Sequence, residues 1–166
     1  MPTPAYLTIK GTSQGLITAG ALSKESVGNT HQSSHNDKIL VQALHHGVYI
    51  PPDGSYRMHK PLVITKMVDK SSPLINSALV NAEHLEVCRL DFYRTAAQGV
   101  QEHYYTMELE DALIIAADIN MPHCNDPSKA YLGHTEEVHI TYRKIIWTHH
   151  IAGTESADQW RVSKNT

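Results

Sequence analysis

The sequence predicts a mainly β protein, a small antiparallel β-barrel or sandwich of two sheets, carrying one α-helix at about residues 72–82. Three observations lead there. Several segments alternate apolar and polar residues with the period of two that a pleated strand requires. Gly, Pro and Asn/Asp turn chemistry separates them at intervals suited to antiparallel connections. Only one stretch repeats apolar residues at helical spacing, which argues against alternating β and α units.

Taken in order, residues 4–10 form the first strand and 39–50 the second, Ile39-Leu-Val-Gln-Ala-Leu-His-His-Gly-Val-Tyr-Ile50. Between them, residues 11–38 are polar, bear Gly and Ser, and show no clean period. Loops beyond about 12–15 residues are uncommon unless functional. The segment therefore reads either as an extended arm packed on a neighbouring subunit or as a long surface loop with a short strand of its own. Residues 61–68 make a strand, with Leu62, Ile64 and other branched side chains favouring an extended backbone. Ser72 is placed to cap the helix and Pro73 to occupy its first position. Leu74, Ile75, Ala78, Leu79 and Ala82 then form a single apolar stripe.

After the helix, strands are expected at 84–95, 101–110, 112–121 and 134–150. In the last, Val138, Ile140, Tyr142 and Ile146 share one face, and Thr141, Arg143 and His149 take the other. Ala96-Ala-Gln-Gly99 is a turn between two long strands, and Glu110-Asp111 marks a tight connection or a bulge. The tail from Gly153 is polar and expected to fray, with Trp160 docking part of it.

With 166 residues the chain is most simply one domain, spanning 1–166, able to bury a core without disulfides or metals. A formal net charge of −3 gives no basic excess, so no nucleic-acid partner is expected. Met1-Pro-Thr-Pro-Ala-Tyr6 lacks the charged and apolar regions of a classical signal peptide, and no apolar run suits membrane insertion. Cys88 alternates with Leu90 and Phe92, as a buried thiol would, while Cys124 lies in a Pro-flanked loop. No spacing rule pairs them, so a Cys88–Cys124 bridge stays open. The absence of a disulfide framework fits folding in the cytoplasm.

Candidate chemistry is sparse. Gly11-Thr-Ser-Gln-Gly15 matches the nucleophile-elbow pattern, but Leu16-Ile-Thr-Ala-Gly20 is a poor helix start, and Ser13 precedes nearly all of the sheet such an elbow needs. The twelve histidines include His31, His35, His45-His46, His134, His139 and His149-His150. Neighbours in a strand point to opposite faces, and none has the spacing of a zinc site. Glu108 and Glu110 share a face that equally describes a solvated one. No enzymatic activity, metal or cofactor is expected.

The segment His59-Lys-Pro-Leu-Val-Ile-Thr-Lys-Met-Val-Asp-Lys-Ser-Ser-Pro-Leu-Ile-Asn-Ser-Ala-Leu79 closely resembles the haemolysin-coregulated protein (Hcp) family, the tube protein of bacterial type VI secretion systems. In the same order, Pro2–Gly11, Gln14–Ala21, Ser26–Asn29, Phe92–Thr95, Gln101–Tyr105, Met121–Pro127 and Tyr142–Trp147 are similar to that family as well. The chain departs from it between Asp53 and Arg57, where Gly54-Ser-Tyr56 stands in place of the longer polar loop of many relatives.

That resemblance implies a hexameric ring that stacks into a tube. A contractile sheath on a baseplate would drive the tube outward behind a spike protein, with small effector proteins in the lumen. Assembly would take place in the bacterial cytoplasm, followed by secretion without a signal peptide. The alternative is a secreted paralogue acting mainly as an effector carrier or chaperone. Some relatives carry a fused toxin domain, and none is expected before Thr166. Exposed strand edges invite pairing with a second copy, and a head-to-tail contact closes into a ring when its rotation divides a full turn. The expected subunit or ring-stacking residues are Gly28, Asn29 and His35 in the arm, Gln98 and Gly99 in the long turn, and Ser156 and Asp158 in the tail.

Overall fold

Alternating side chains build one continuous antiparallel sheet in the computed structural model, which describes residues 3–161. The strands are β1 (Ala5–Gly11), β2 (Gly15–Leu16), β3 (Ile39–His45), β4 (Val48–Tyr49), β5 (Met58–His59), β6 (Leu62–Met67), β7 (His84–Thr95), β8 (Gln101–Glu110), β9 (Ala112–Asn120), β10 (Thr135–Thr141), β11 (Lys144–His149) and β12 (Thr154–Gln159). Two α-helices interrupt them, a single turn α1 (Lys24–Val27) and α2 (Ser72–Val80).

The ten-stranded sheet runs β12-β11-β8-β7-β9-β10-β6-β3-β1-β2, and a further pairing of β1 with β7 closes part of it into a barrel. β7 is long enough to serve two structures. It pairs with β1 from Leu85 to Phe92 and with β8 from Cys88 to Thr95, so β8, β11 and β12 continue outward as a wing. On the barrel side β9 meets β7 only at Ala112 and Leu113. The gap beyond is covered by α2, which packs on β9 through Ile75, Ala78 and the half-buried Leu79. Covering an edge with a helix removes the open backbone groups that invite unwanted pairing. The β4–β5 hairpin forms a small second sheet.

The mainly β, antiparallel, helix-poor class matches the expectation, with one large sheet, carried from barrel to wing by β7, and the small β4–β5 sheet beside it. The helix begins one residue earlier than its capping pattern suggested: Ser71 is the cap position and Ser72 the first helical residue. Leu74 and Ala82 leave the stripe, Ala82 having turned to a left-handed φ of 49° past the helix end. The segment expected at 39–50 breaks at His46-Gly47, and that at 134–150 breaks at Tyr142-Arg143 into β10 and β11. Asp111 makes the one-residue turn between β8 and β9 with φ of 52°, its carboxylate accepting from His84 and Arg143.

Residues 11–38 carry the short strand β2 and the turn of α1, and they bury Ile17, Thr18, Ala21 and Leu22 in their own domain. Residues from 153 onward do not fray through the described region. Thr154–Gln159 form β12, and Trp160 donates to the Tyr142 carbonyl at 2.8 Å. The rest of the expected tail, 162–166, lies outside the described residues.

The core unites β1, β3, β6, β7, β9 and β10 through Leu7, Ile9, Ile39, Leu62, Ile64, Leu90, Ile114, Val138 and Ile140. Each such side chain contributes roughly 1.5–3 kcal/mol by leaving water. Cys88 belongs to this core, opposite Ile9 and Leu109, and both cysteines are free. Burial pushes the Cys88 thiol up to about 12. At pH 8 a thiol-selective disulfide reagent is therefore expected to modify Cys124 alone in the native protein, and Cys88 only after unfolding. Titration with and without denaturant checks this.

Candidate functional site

Large apolar side chains that stand in water gather in two places, with single ones such as Val80, Val100 and Ile151 elsewhere. The hairpin loop presents Val48, Tyr49, Ile50, Tyr56 and Met58, with Tyr56 85% exposed. The end of β9 and the connection to β10 present Ile119, Met121, Tyr131 and Leu132, with Ile119 72% exposed. These groups lie at opposite ends of β6, because β6 meets His45, just before the hairpin, at Val63, and meets the start of β10 at Met67. Exposed apolar groups collected at two ends of a barrel are a mark of surfaces that meet other proteins.

The wing ends in an open strand. Among the described residues β12 pairs only with β11, and all its side chains except Asp158 are exposed. Its sequence, Thr-Glu-Ser-Ala-Asp-Gln, is polar on both faces, which suits an edge that is soluble yet free to pair. The opposite margin, β2, is only two residues long.

The residues expected at interfaces are distributed over this frame without forming one cluster. Gly28 ends α1 with φ of 60°, and Asn29 follows it; both are exposed, in a turn whose Thr30 hydroxyl lies near Met67. His35 is half-buried, stacked on Tyr6 at 3.9 Å and edge-on to Tyr93. Gln98 and Gly99 lie exposed in the β7–β8 turn, Gly99 at φ of 83°. Ser156 opposes Trp147 on the edge strand. Asp158 is engaged within the chain: Arg57 grips its carboxylate with two bonds of 2.9 Å, and His59 Nε2 lies 2.7 Å from it. The Arg57 hydrogen bonds hold this carboxyl below the usual carboxylate range, with His59 adding to them.

That last contact opens onto a network that no spacing in the sequence marks. Tyr142 Oη lies 2.6 Å from His46 Nε2 and 2.6 Å from His59 Nδ1. His59 stacks on Trp160 at 5.0 Å. The hairpin, the β10–β11 bend and β12 are thereby joined. Burial, then the neighbouring His59 and His45, push His46 down to about 4.

A second network lies along the wing. Asp91 is buried and accepts from Lys38 at 2.9 Å and Arg89 at 2.8 Å, with His103 at 3.2 Å. Burial alone would raise its carboxyl, but those two cations hold it below the usual range. A third lies under α2, where Lys66, wholly buried, donates to Glu136, to Asp69 at 3.1 Å and to Ser72 Oγ at 3.1 Å. Here the sequence did carry a signal, since Leu62, Ile64 and Lys66 share the core-facing phase of β6. A charge in that phase needs a buried partner.

Ser13 sits exposed in the β1–β2 turn, followed by a two-residue strand instead of a helix, and lacks the strand-to-helix geometry of a nucleophile elbow. Asp118, Glu137 and His139 bring ligand atoms within 4.8 Å of one another, a grouping concealed in the sequence because Asp118 comes from β9 and the others from β10. His139, half-buried, has its Nε2 2.7 Å from Glu137, so these two already face each other as an ion pair would, beside the exposed Asp118.

The comparisons with known proteins point one way. The family model described as "Type VI secretion system effector, Hcp" matches residues 6–149. The Major exported protein of Pseudomonas aeruginosa is 52% identical over 167 residues, covering 97% of this chain and 97% of that protein. Uncharacterized protein YhhZ of Escherichia coli is 35% identical over 150 residues, 90% of this chain but 36% of YhhZ. A crystal structure of Hcp protein superposes with a TM-score of 0.92 at 37% identity, covering 98% of this chain and 100% of that one. Secreted protein Hcp3 from Pseudomonas aeruginosa gives 0.85 at 49% identity, covering 97% and 100%. By these likenesses the chain belongs to the Hcp family of type VI secretion proteins.

Proposed function

We propose that this chain is a subunit of the type VI inner tube, forming hexameric rings that stack end to end and carry small effector proteins in their lumen. The observation that supports this most is the placement of the two exposed apolar groups at opposite ends of β6, which suits head-to-tail stacking of identical copies. Within a ring, the open backbone of β12 supplies pairing groups to the next subunit. Gly28, Asn29, His35, Gln98, Gly99 and Ser156 are the polar contacts of these surfaces, whereas Asp158 acts inside the chain. Assembly takes place in the bacterial cytoplasm, and secretion follows, in company with spike, sheath and baseplate.

Negative-stain microscopy is expected to show annular particles, and light scattering a mass of one hexamer or its multiples; a monomer at millimolar concentration would overturn the reading. Ile50→Asp combined with Tyr56→Asp is expected to leave single rings and abolish stacks, because a charge placed on an apolar contact must be desolvated without a partner. Scattering of the variant at rising concentration checks this. A second reading, a secreted carrier whose tube formation is secondary, draws support from the word "effector" in the matched family's description. Co-purification of a small toxin with rings that never stack would favour it.

A further inference from the structure

The hydroxyl of Tyr142 stands between two imidazoles, and the protons of this group can be counted. His59 Nε2 faces the Asp158 carboxylate at 2.7 Å, so that nitrogen carries hydrogen and donates. Neutral His59 then has a bare Nδ1, which accepts from Tyr142, and the Tyr142 oxygen accepts from His46 Nε2–H. Every donor meets an acceptor. One extra proton on His59 is absorbed by reversing the chain: His59 Nδ1–H donates to Tyr142, and Tyr142 donates to His46 Nε2, whose hydrogen now sits on Nδ1. A second proton, on His46, has no such solution. Both rings then donate to one oxygen, and the Tyr142 hydrogen is left without an acceptor in a side chain only 2% exposed. Two cations would also face each other with ring centroids 6.4 Å apart.

We propose that the His46–Tyr142–His59 triad is an acid-operated latch, which holds the β4–β5 hairpin against the wing while it bears at most one positive charge and frees the hairpin when it bears two. The charged surroundings act in the same direction. His45 on β3, Arg57 and Lys60 flanking β5, and Arg161, whose guanidinium lies 4.2 Å from the Trp160 ring, oppose further protonation, and Asp158 favours it. The latch is a property of the single chain and stands whether or not tubes form.

The direction with pH follows from linkage. His46 falls from the ordinary 6.5 to about 4 in the closed latch, so the closed state prefers the neutral ring. The latch is fully held above about 6.5, weakens roughly tenfold in its opening equilibrium for each unit of acidification down to about 4, and changes no further below that. Hydrogen exchange of the full chain, corrected for intrinsic rates, is expected to show protection in residues 48–59 falling in this way while β7 stays protected. In His46→Gln, whose amide still donates to Tyr142 but takes up no proton, hairpin protection is expected to stay flat over the same range. Three results would overturn the proposal: constant hairpin protection in the wild type, the same loss in His46→Gln, or simultaneous loss in β7, which marks global unfolding. Should His46→Gln fail to fold, the fluorescence of Trp147 and Trp160, the chain's two tryptophans and both stacked on His59, supplies the wild-type readout. A midpoint between pH 4 and 6.5 without loss of β7 protection supports the latch, and a flat titration refutes it.

Discussion

Lys66→Met is expected to lower the free energy of unfolding by about 3–5 kcal/mol, the usual consequence of removing one partner from a buried ion pair. Lys66 is wholly buried, with Glu136 and Asp69 both within reach of its ammonium and both themselves buried. Ser72 Oγ ties the group together, donating to Glu136 at 2.7 Å and accepting from the Asp69 amide at 3.0 Å. Without the ammonium, two carboxylates are left side by side, out of water. Adding Glu136→Leu removes one of them and is expected to recover part of the loss, since the penalty lies in the uncompensated charge more than in the missing attraction. Urea denaturation at pH 7 of the single and double variants checks both. A single variant within 1 kcal/mol of wild type would show that water reaches the group.

Ile9→Ala is expected to cost about 2–5 kcal/mol, through lost apolar burial and the cavity left behind. Ile9 is fully buried on β1, opposite Cys88 on β7, and so lies on the seam that closes the barrel. Ile119→Ala is the fitting control. Its side chain is 72% exposed, and the same truncation is expected to stay within about 0.5 kcal/mol when monomer unfolding is measured. Equal effects at the two positions would mean that the seam does not hold the barrel together.

Elements with a one-sided apolar pattern were legible in the sequence. The strands at 84–95 and 101–110 match β7 and β8 end for end, and the helix was placed to within a residue or two. Failures came where the pattern carried no such signal. At Tyr142-Arg143 the chain bends without Gly or Pro, and the buried phase shifts from Tyr142 to Ile145; the adjacent Ile146 hides that shift. β12 has no buried face, so no alternation exists to be read. Residues 11–38 bury Ile17, Ala21 and Leu22 through successive turns instead of a periodic element. The Tyr142 network gathers side chains from segments far apart in sequence, and although His46, Tyr142 and Asp158 were each named there for other roles, no spacing joined them. Lys66, by contrast, could have been found from its phase alone.

The pairing of Ala5 with Phe92 has a consequence for how the molecule is made. Translation delivers β1 first, yet its partner along the seam leaves the ribosome only after β3, β6 and α2 have been synthesised. At about 5–20 residues per second, that wait is a matter of seconds, far longer than the microseconds in which a local hairpin forms. The nascent N-terminal strand is thus bare on one side for a time set by elongation, and sealing comes late because its loop is long, not because its side chains attract weakly.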